Sequence, residues 1–210
     1  MEESPITFTS GDLTLEGLFA RPAGADAAPG VVVCHPHPMY GGSMDNNVVE
    51  AILAAMWRRG YATLRFNFRG VGASEGEYDG GEGEAADALA AVEFVAAQPG
   101  IARGGIVLAG YSFGAAIAMR AGLGVPRVAQ VIAVALPVAA MNVPAEAPAI
   151  KPVLLISGDR DDYSPLAALE KTIEKLGPAA TLKVIGGADH FFGGCESALA
   201  DAIETASQRG

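Results

Sequence analysis

The stretch Ile106-Val107-Leu108-Ala109-Gly110-Tyr111-Ser112-Phe113-Gly114-Ala115-Ala116-Ile117-Ala118 decides how the chain is read. Its first four residues form a wholly apolar run, the pattern of a strand buried on both faces. Its last four are small and apolar, and open a helix. Between them lies Gly110-x-Ser112-x-Gly114. As a bare pattern this is weak, because glycine and serine are common. Between a buried strand and a helix it is strong: a serine on a sharp, strained turn projects its hydroxyl from the edge of a sheet, and the helix start presents backbone N–H groups beside it. The flanking glycines keep side chains out of the space that strand and helix must share. Ser112 is therefore the candidate nucleophile. The other glycine-rich readings fail. No Lys precedes a Ser or Thr as a phosphate-binding loop requires. Gly70-Val71-Gly72-Ala73-Ser74-Glu75 lacks the third glycine and the prompt helix of a dinucleotide fingerprint.

Outward from this turn, strands and helices alternate. Ile6–Phe8 and Leu13–Phe19, around Ser10-Gly11-Asp12, read as an antiparallel hairpin. Strands are expected at Val31–Cys34, Ala62–Phe66, Gly105–Ala109, Val128–Ala135, Val153–Ser157 and Leu182–Ile185. Helices are expected at Asp45–Arg59, Glu84–Ala97, Phe113–Ala121, Pro165–Leu176 and Glu196–Ser207. A hairpin followed by alternating β and α segments implies an α/β fold with a mostly parallel sheet and helices on both faces. One domain spanning residues 1–210 is expected. Asn142–Lys151 reads as a loop with little room for an inserted lid.

A base and an acid must serve the serine. The histidines are His35, His37 and His190. His190 follows a strand, precedes the last helix and comes after an Asp cluster, so a loop carrying it can reach over the carboxyl edge of the sheet to Ser112. His35 and His37 sit on the same edge and compete in principle. For the acid, Asp159, Asp161 and Asp162 compete within Gly158-Asp159-Arg160-Asp161-Asp162-Tyr163-Ser164-Pro165. Asp161 is favoured, because glycine three residues before it and proline four after it let the chain turn there. The order Ser112, Asp161, His190 distinguishes one class of serine hydrolase from the others.

Composition bounds the rest. Half the residues are hydrophobic and the formal net charge is −10, so phosphate backbones and anionic lipid surfaces are poor partners. The two cysteines, Cys34 and Cys195, make no disulfide framework; Cys34 reads as core packing. The N-terminus lacks an apolar signal core, and no apolar run is long enough to span a membrane. A cytoplasmic protein is expected. Asn67 and Arg69 read as loop ties, and Trp57 and Met56 as packing. Glu75, Glu77, Asp79, Glu82 and Glu84 read as a mostly solvated acidic loop and helix start.

Four ordered motifs resemble the α/β-hydrolase superfamily, over nearly the whole chain. These are His35-Pro36-His37-Pro38-Met39-Tyr40-Gly41-Gly42-Ser43-Met44-Asp45-Asn46-Asn47, Arg65-Phe66-Asn67-Phe68-Arg69-Gly70-Val71-Gly72-Ala73-Ser74-Glu75-Gly76, the spacing Gly158-x-x-Asp161, and the pair His190-Phe191. Within it the likeness is to compact, lidless bacterial serine hydrolases related to dienelactone hydrolases. Ser112 stands where dienelactone hydrolases carry cysteine, and His-Pro-His-Pro replaces the His-Gly of many relatives. The resemblance implies a serine esterase acting on a small-molecule carboxylic ester through an acyl-enzyme. It implies no metal or organic cofactor, no nucleic-acid or membrane partner, and a monomer or homodimer. A thioesterase or small amidase could use the same residues, and a non-catalytic binding module is the reading from another class. The oxyanion hole is expected to use the backbone N–H of Phe113 and one from the loop after Val31–Cys34. Pro36 and Pro38 have no N–H, which leaves His37, Met39 and Tyr40. His37 is favoured by alignment with the residue after His-Gly, with its imidazole secondary.

Overall fold

The structure, a computed structural model, describes residues 1–24, 27–141, 143 and 151–206. Eight strands form one sheet: β1 (Ser4–Ser10), β2 (Leu13–Ala20), β3 (Ala28–Cys34), β4 (Ala62–Phe66), β5 (Ile101–Tyr111), β6 (Val128–Val134), β7 (Val153–Gly158) and β8 (Ala180–Ile185). Five α-helices accompany them: α1 (Asn47–Arg58), α2 (Glu82–Ala97), α3 (Phe113–Gly122), α4 (Leu166–Leu176) and α5 (Glu196–Ala206). The strand order is β1-β2-β4-β3-β5-β6-β7-β8. β2 pairs antiparallel with both β1 and β4, and every other pairing is parallel. This is the α/β-hydrolase fold.

Strand side chains alternate between faces, and both faces here are covered. Val32, Leu64 and Leu108 pack with Ala88, Val92 and Ile117 of α2 and α3 and with Leu169 of α4. Val31, Val33, Val107 and Ile132 pack on the opposite face with Ile52 and Met56 of α1 and Leu199 and Ile203 of α5. A strand buried on both sides needs apolar residues at every position, which is why these strands read as unbroken hydrophobic runs. Lys151 lies just before β7, with its ammonium donating to the carbonyls of Gly122, Val125 and Val128 at 2.8, 2.5 and 2.7 Å. The charge thus sits at the carbonyl end of α3, where the helix dipole favours a cation.

Because β3 to β8 run parallel, their carboxyl ends share one edge, and the loops that leave it carry the candidate residues. Cys34 leads to His35 and His37, Phe66 to Asn67 and Arg69, Tyr111 to Ser112, Gly158 to Asp161, and Ile185 to His190. The expected elements all occur, with boundaries displaced by a few residues. Most of the Asn142–Lys151 connection, on which the reading of little room for a lid rests, lies outside the described residues.

Candidate active site

Ser112 sits between β5 and α3 with φ 53° and ψ −117°. A serine in this region carries strain of about 1–3 kcal/mol, which the surrounding structure must hold. Its backbone N–H donates to the Val134 carbonyl at 2.9 Å, fixing the turn against β6. A Cβ on Gly114 would collide with the carbonyls of Cys34 and His35, and one on Gly110 with the carbonyl of Gly114. The two glycines therefore let α3 lie directly on the ends of β3 and β5.

The structure brings Ser112, His190 and Asp161 together. Ser112 Oγ lies 2.9 Å from His190 Nε2. His190 Nδ1 lies 2.9 Å from each carboxylate oxygen of Asp161. Asp161 is buried, as is His190. A carboxylate accepts at Nδ1, so the ring proton resides there and the Nε2 lone pair faces the hydroxyl. Asp161 Oδ1 also accepts from the backbone N–H of Tyr163 and Ser164 at 2.9 and 3.0 Å, a side-chain turn that anchors the carboxylate before it meets the ring. The other two acids do different work. Asp159 Oδ1 accepts from Gly187 N–H at 2.7 Å, tying the acid loop to the histidine loop, and Asp162 is exposed.

Tyr111 and Tyr163 beside His190 carry no role in the sequence reading, and Phe191 enters it only as the motif partner of His190. The Tyr111 hydroxyl donates to the His190 carbonyl at 2.9 Å. Burial, and then the charges of Asp161 and Asp189, push that hydroxyl above its ordinary pKa and keep it a donor. The rings of Tyr163 and Phe191 lie 4.7 and 5.6 Å from the imidazole. Tyr111 adjoins Ser112 and Tyr163 follows Asp161 by two residues, so adjacency is the signal the sequence offers for them.

His35 is not placed to act as a base. It is fully buried, its Nδ1–H donates to the Pro36 carbonyl at 2.7 Å, and its Nε2 accepts from Phe68 N–H at 3.0 Å. Desolvation lowers its pKa from 6.5 to about 4, against an opposing effect of the Pro36 bond. An unfolded His35 binds a proton near pH 6.5 while the folded one does not, so this group's stabilising contribution is complete above pH 6.5. It declines as pH falls and levels off near pH 4. The full swing is on the order of 3 kcal/mol. We expect the urea midpoint of wild type to fall between pH 7 and pH 5 more steeply than that of His35→Gln. Parallel pH dependences would contradict the assignment.

The loop after β3 continues through His37, which precedes a short 3-10 turn at Pro38–Tyr40. Two of the three candidate oxyanion donors are spent inside this turn: Met39 N–H donates to His37 Nδ1 at 3.2 Å, and Tyr40 N–H to the His37 carbonyl at 3.1 Å. Phe113, the first residue of α3, has no preceding helical turn to supply an acceptor for its N–H.

Asn67 and Arg69 tie loops. Asn67 accepts from Met44 N–H at 2.9 Å and donates to Glu16 at 2.7 Å. Arg69 forms a two-pronged pair with the fully buried Asp87, at 3.0 and 2.7 Å. Glu75, Glu77, Asp79 and Glu82 are exposed, as expected of a mostly solvated stretch, and Glu84 is the exception. Glu84 is fully buried, accepting from the N–H groups of Asp79 and Gly81 at 2.9 and 2.7 Å. Unsatisfied N–H groups at a helix start attract a carboxylate inward, which a count of charges along the chain does not reveal.

Residues 13–150 match the family model of the X-Pro dipeptidyl-peptidases, family S15. The chain belongs to the S15 family. Members of this family are α/β hydrolases, and solved structures agree. An α/β serine hydrolase homologue from Coxiella burnetii is 33% identical, covers 98% of both chains and superposes with a TM-score of 0.89. An α/β serine hydrolase without lid from Xanthomonas campestris is 31% identical over 100% of this chain and 95% of its own, with a TM-score of 0.88. An uncharacterized protein of Rickettsia prowazekii is 35% identical over 195 residues, 89% of this chain and 81% of that protein. This S15 chain is thus similar over its length to compact serine hydrolases. No helix among its described residues is long and apolar enough to cross a membrane.

Proposed function

We infer that the protein hydrolyses carboxylic esters of short or compact acyl groups through an acyl-Ser112 intermediate. The observation that carries this reading is the hydrogen-bonded chain from Ser112 Oγ through His190 to Asp161, with 2.9 Å at each link. His190 Nε2 takes the hydroxyl proton as Oγ attacks the ester carbonyl. Asp161 holds the tautomer and stabilises the imidazolium. The tetrahedral oxyanion is met by the N–H groups of Phe113 and His37. The imidazolium protonates the departing alcohol, and water then repeats the sequence to release the acid. The steps need no metal or organic cofactor, and the substrate is the only partner they require. The reading carries with it a cytoplasmic monomer or homodimer.

The family name favours a second reading, cleavage of an amide after an Xaa-Pro dipeptide. A thioester is chemically the easier alternative. Two measurements separate these. A fluorophosphonate probe should label Ser112 stoichiometrically, and a folded but unlabelled protein would favour a binding module. A panel of p-nitrophenyl esters, matched thioesters and an Xaa-Pro p-nitroanilide should then show esters turned over best.

Acyl length is the sharper test. Each methylene buried by a protein wall contributes about 0.8 kcal/mol, and the sequence reading of Asn142–Lys151 as a loop gives the chain little length to build one. We expect kcat/KM to peak at short acyl chains, about C2 to C4, and to fall beyond. A steady climb to long chains would exclude this preference.

A further inference from the structure

The ester-hydrolase reading uses the backbone of His37 and leaves its side chain unexplained. That side chain lies among aromatic rings. Its imidazole is 4.7 Å from the Phe113 ring, 5.1 Å from that of Tyr78 and 4.9 Å from that of Tyr40. Tyr78 and Phe113 lie 5.9 Å apart, closing a triangle of three rings. Two of the three belong to the residues whose N–H groups are assigned to the oxyanion hole. The third, Tyr78, comes from the acidic loop before α2.

The hydrogen bonds have a direction. Met39 N–H donates to His37 Nδ1 at 3.2 Å, so that nitrogen carries the lone pair and Nε2 carries the proton. The Nε2–H then faces the Tyr78 hydroxyl oxygen at 3.4 Å. The imidazole must be neutral for this arrangement, and desolvation lowers its pKa in the required sense despite the opposing charge of Glu84. The backbone beside Tyr78 is fixed from below: buried Glu84 holds the N–H groups of Asp79 and Gly81. A chain of contacts therefore runs from the start of α2 through Tyr78 and the His37 ring to the loop after β3.

We propose that Tyr78 and the His37 imidazole are positioning residues for the oxyanion hole, clamping the His37 loop against Phe113 so that their two N–H groups converge on one oxygen. The loop needs such a clamp. Met39 and Tyr40 of that loop are exposed among the described residues, and prolines at positions 36 and 38 restrict its shape without setting its distance from α3. A donor displaced by about 1 Å can cost on the order of 100-fold in rate, while ground-state substrate contacts are hardly touched. The signature is therefore a loss in kcat with KM preserved.

The experiment compares wild type with Tyr78→Ala, Tyr78→Leu, Tyr78→Phe, His37→Ala and the double variant His37→Ala/Tyr78→Ala. Each is checked by thermal melting, and kcat and KM are measured on the best ester of the panel. Tyr78→Ala and His37→Ala should each lower kcat by about 10- to 100-fold with KM nearly unchanged. Tyr78→Phe keeps the ring and should recover most of that loss. The double variant should be no worse than the poorer single one, because both residues act through one clamp. Should Tyr78→Ala fail to fold, Tyr78→Leu keeps bulk without the ring or hydroxyl and should show the same loss in kcat. Activity of the Ala and Leu variants within twofold of wild type, losses confined to KM, or losses that multiply in the double variant would each overturn the clamp. In those outcomes wild type still turns over ester and the hydrolase reading stands. A wild type that neither labels at Ser112 nor hydrolyses any member of the panel overturns the hydrolase reading and the clamp with it.

Discussion

Ser112→Ala should abolish nearly all ester turnover while leaving the melting temperature close to that of wild type. The expected loss is about 10⁴- to 10⁶-fold in kcat, on the order of 5–8 kcal/mol of transition-state stabilisation. The residual rate would come from the oxyanion donors and from substrate positioning, which the substitution leaves in place. Folding should be little disturbed. Alanine is no worse than serine at a positive φ of 53°, and the bond holding this turn to β6 is made by the backbone N–H to Val134, which alanine keeps. The Oγ lost makes its bond to His190, itself oriented by Asp161. Hydrolysis near the wild-type rate, after contaminating esterase is excluded with a fluorophosphonate, would remove Ser112 from the mechanism.

Asp161→Asn should be the most damaging substitution among the three neighbouring acids, with a loss in kcat of about 10⁴-fold. The geometry says why an isosteric change does so much. Oδ1 already accepts two backbone N–H groups, from Tyr163 and Ser164. An asparagine keeps its oxygen there and turns its NH₂ toward His190 Nδ1. That nitrogen must then accept, the ring proton moves to Nε2, and the histidine presents N–H where it needs a lone pair. Asp159→Asn retains an oxygen for Gly187 N–H and should stay within a few-fold of wild type, as should the exposed Asp162→Asn. If Asp159→Asn or Asp162→Asn proved the more sensitive, the acid would have to be reassigned to that position.

The two predictions differ in how far the sequence could go toward them. The Ser112 turn is local: an apolar strand, two glycines and a small-residue helix lie within 13 residues, and each constrains its neighbours directly. The strands were legible for the same reason, since burial on both faces leaves a continuous apolar run. Choosing among three carboxylates spaced within four residues was another matter. Spacing favoured Asp161, but its contact with His190 spans 29 residues of sequence, and nothing local distinguishes a side chain turned inward from one turned out.

The acidic stretch shows the same limit from the other side. The stretch from Glu75 to Glu84 reads as a mostly solvated face, and Glu75, Glu77, Asp79 and Glu82 are exposed; Glu84 alone among these acids is buried, on the N–H groups of a helix start. The loop it holds delivers Tyr78 to a histidine 41 residues away in the chain.

From the sequence by itself came the α/β alternation, the hairpin, the elbow serine and the edge of the sheet to which every candidate residue belongs. These follow from hydrophobic period and turn chemistry, which act between near neighbours. The tertiary structure alone decided which carboxylate meets His190, that His35 is buried as a loop tie, and that the rings of His37, Tyr78 and Phe113 share one cluster. Those outcomes depend on how five loops pack over a common sheet edge, where direction, desolvation and hydrogen-bond partners are set by residues far apart in the chain.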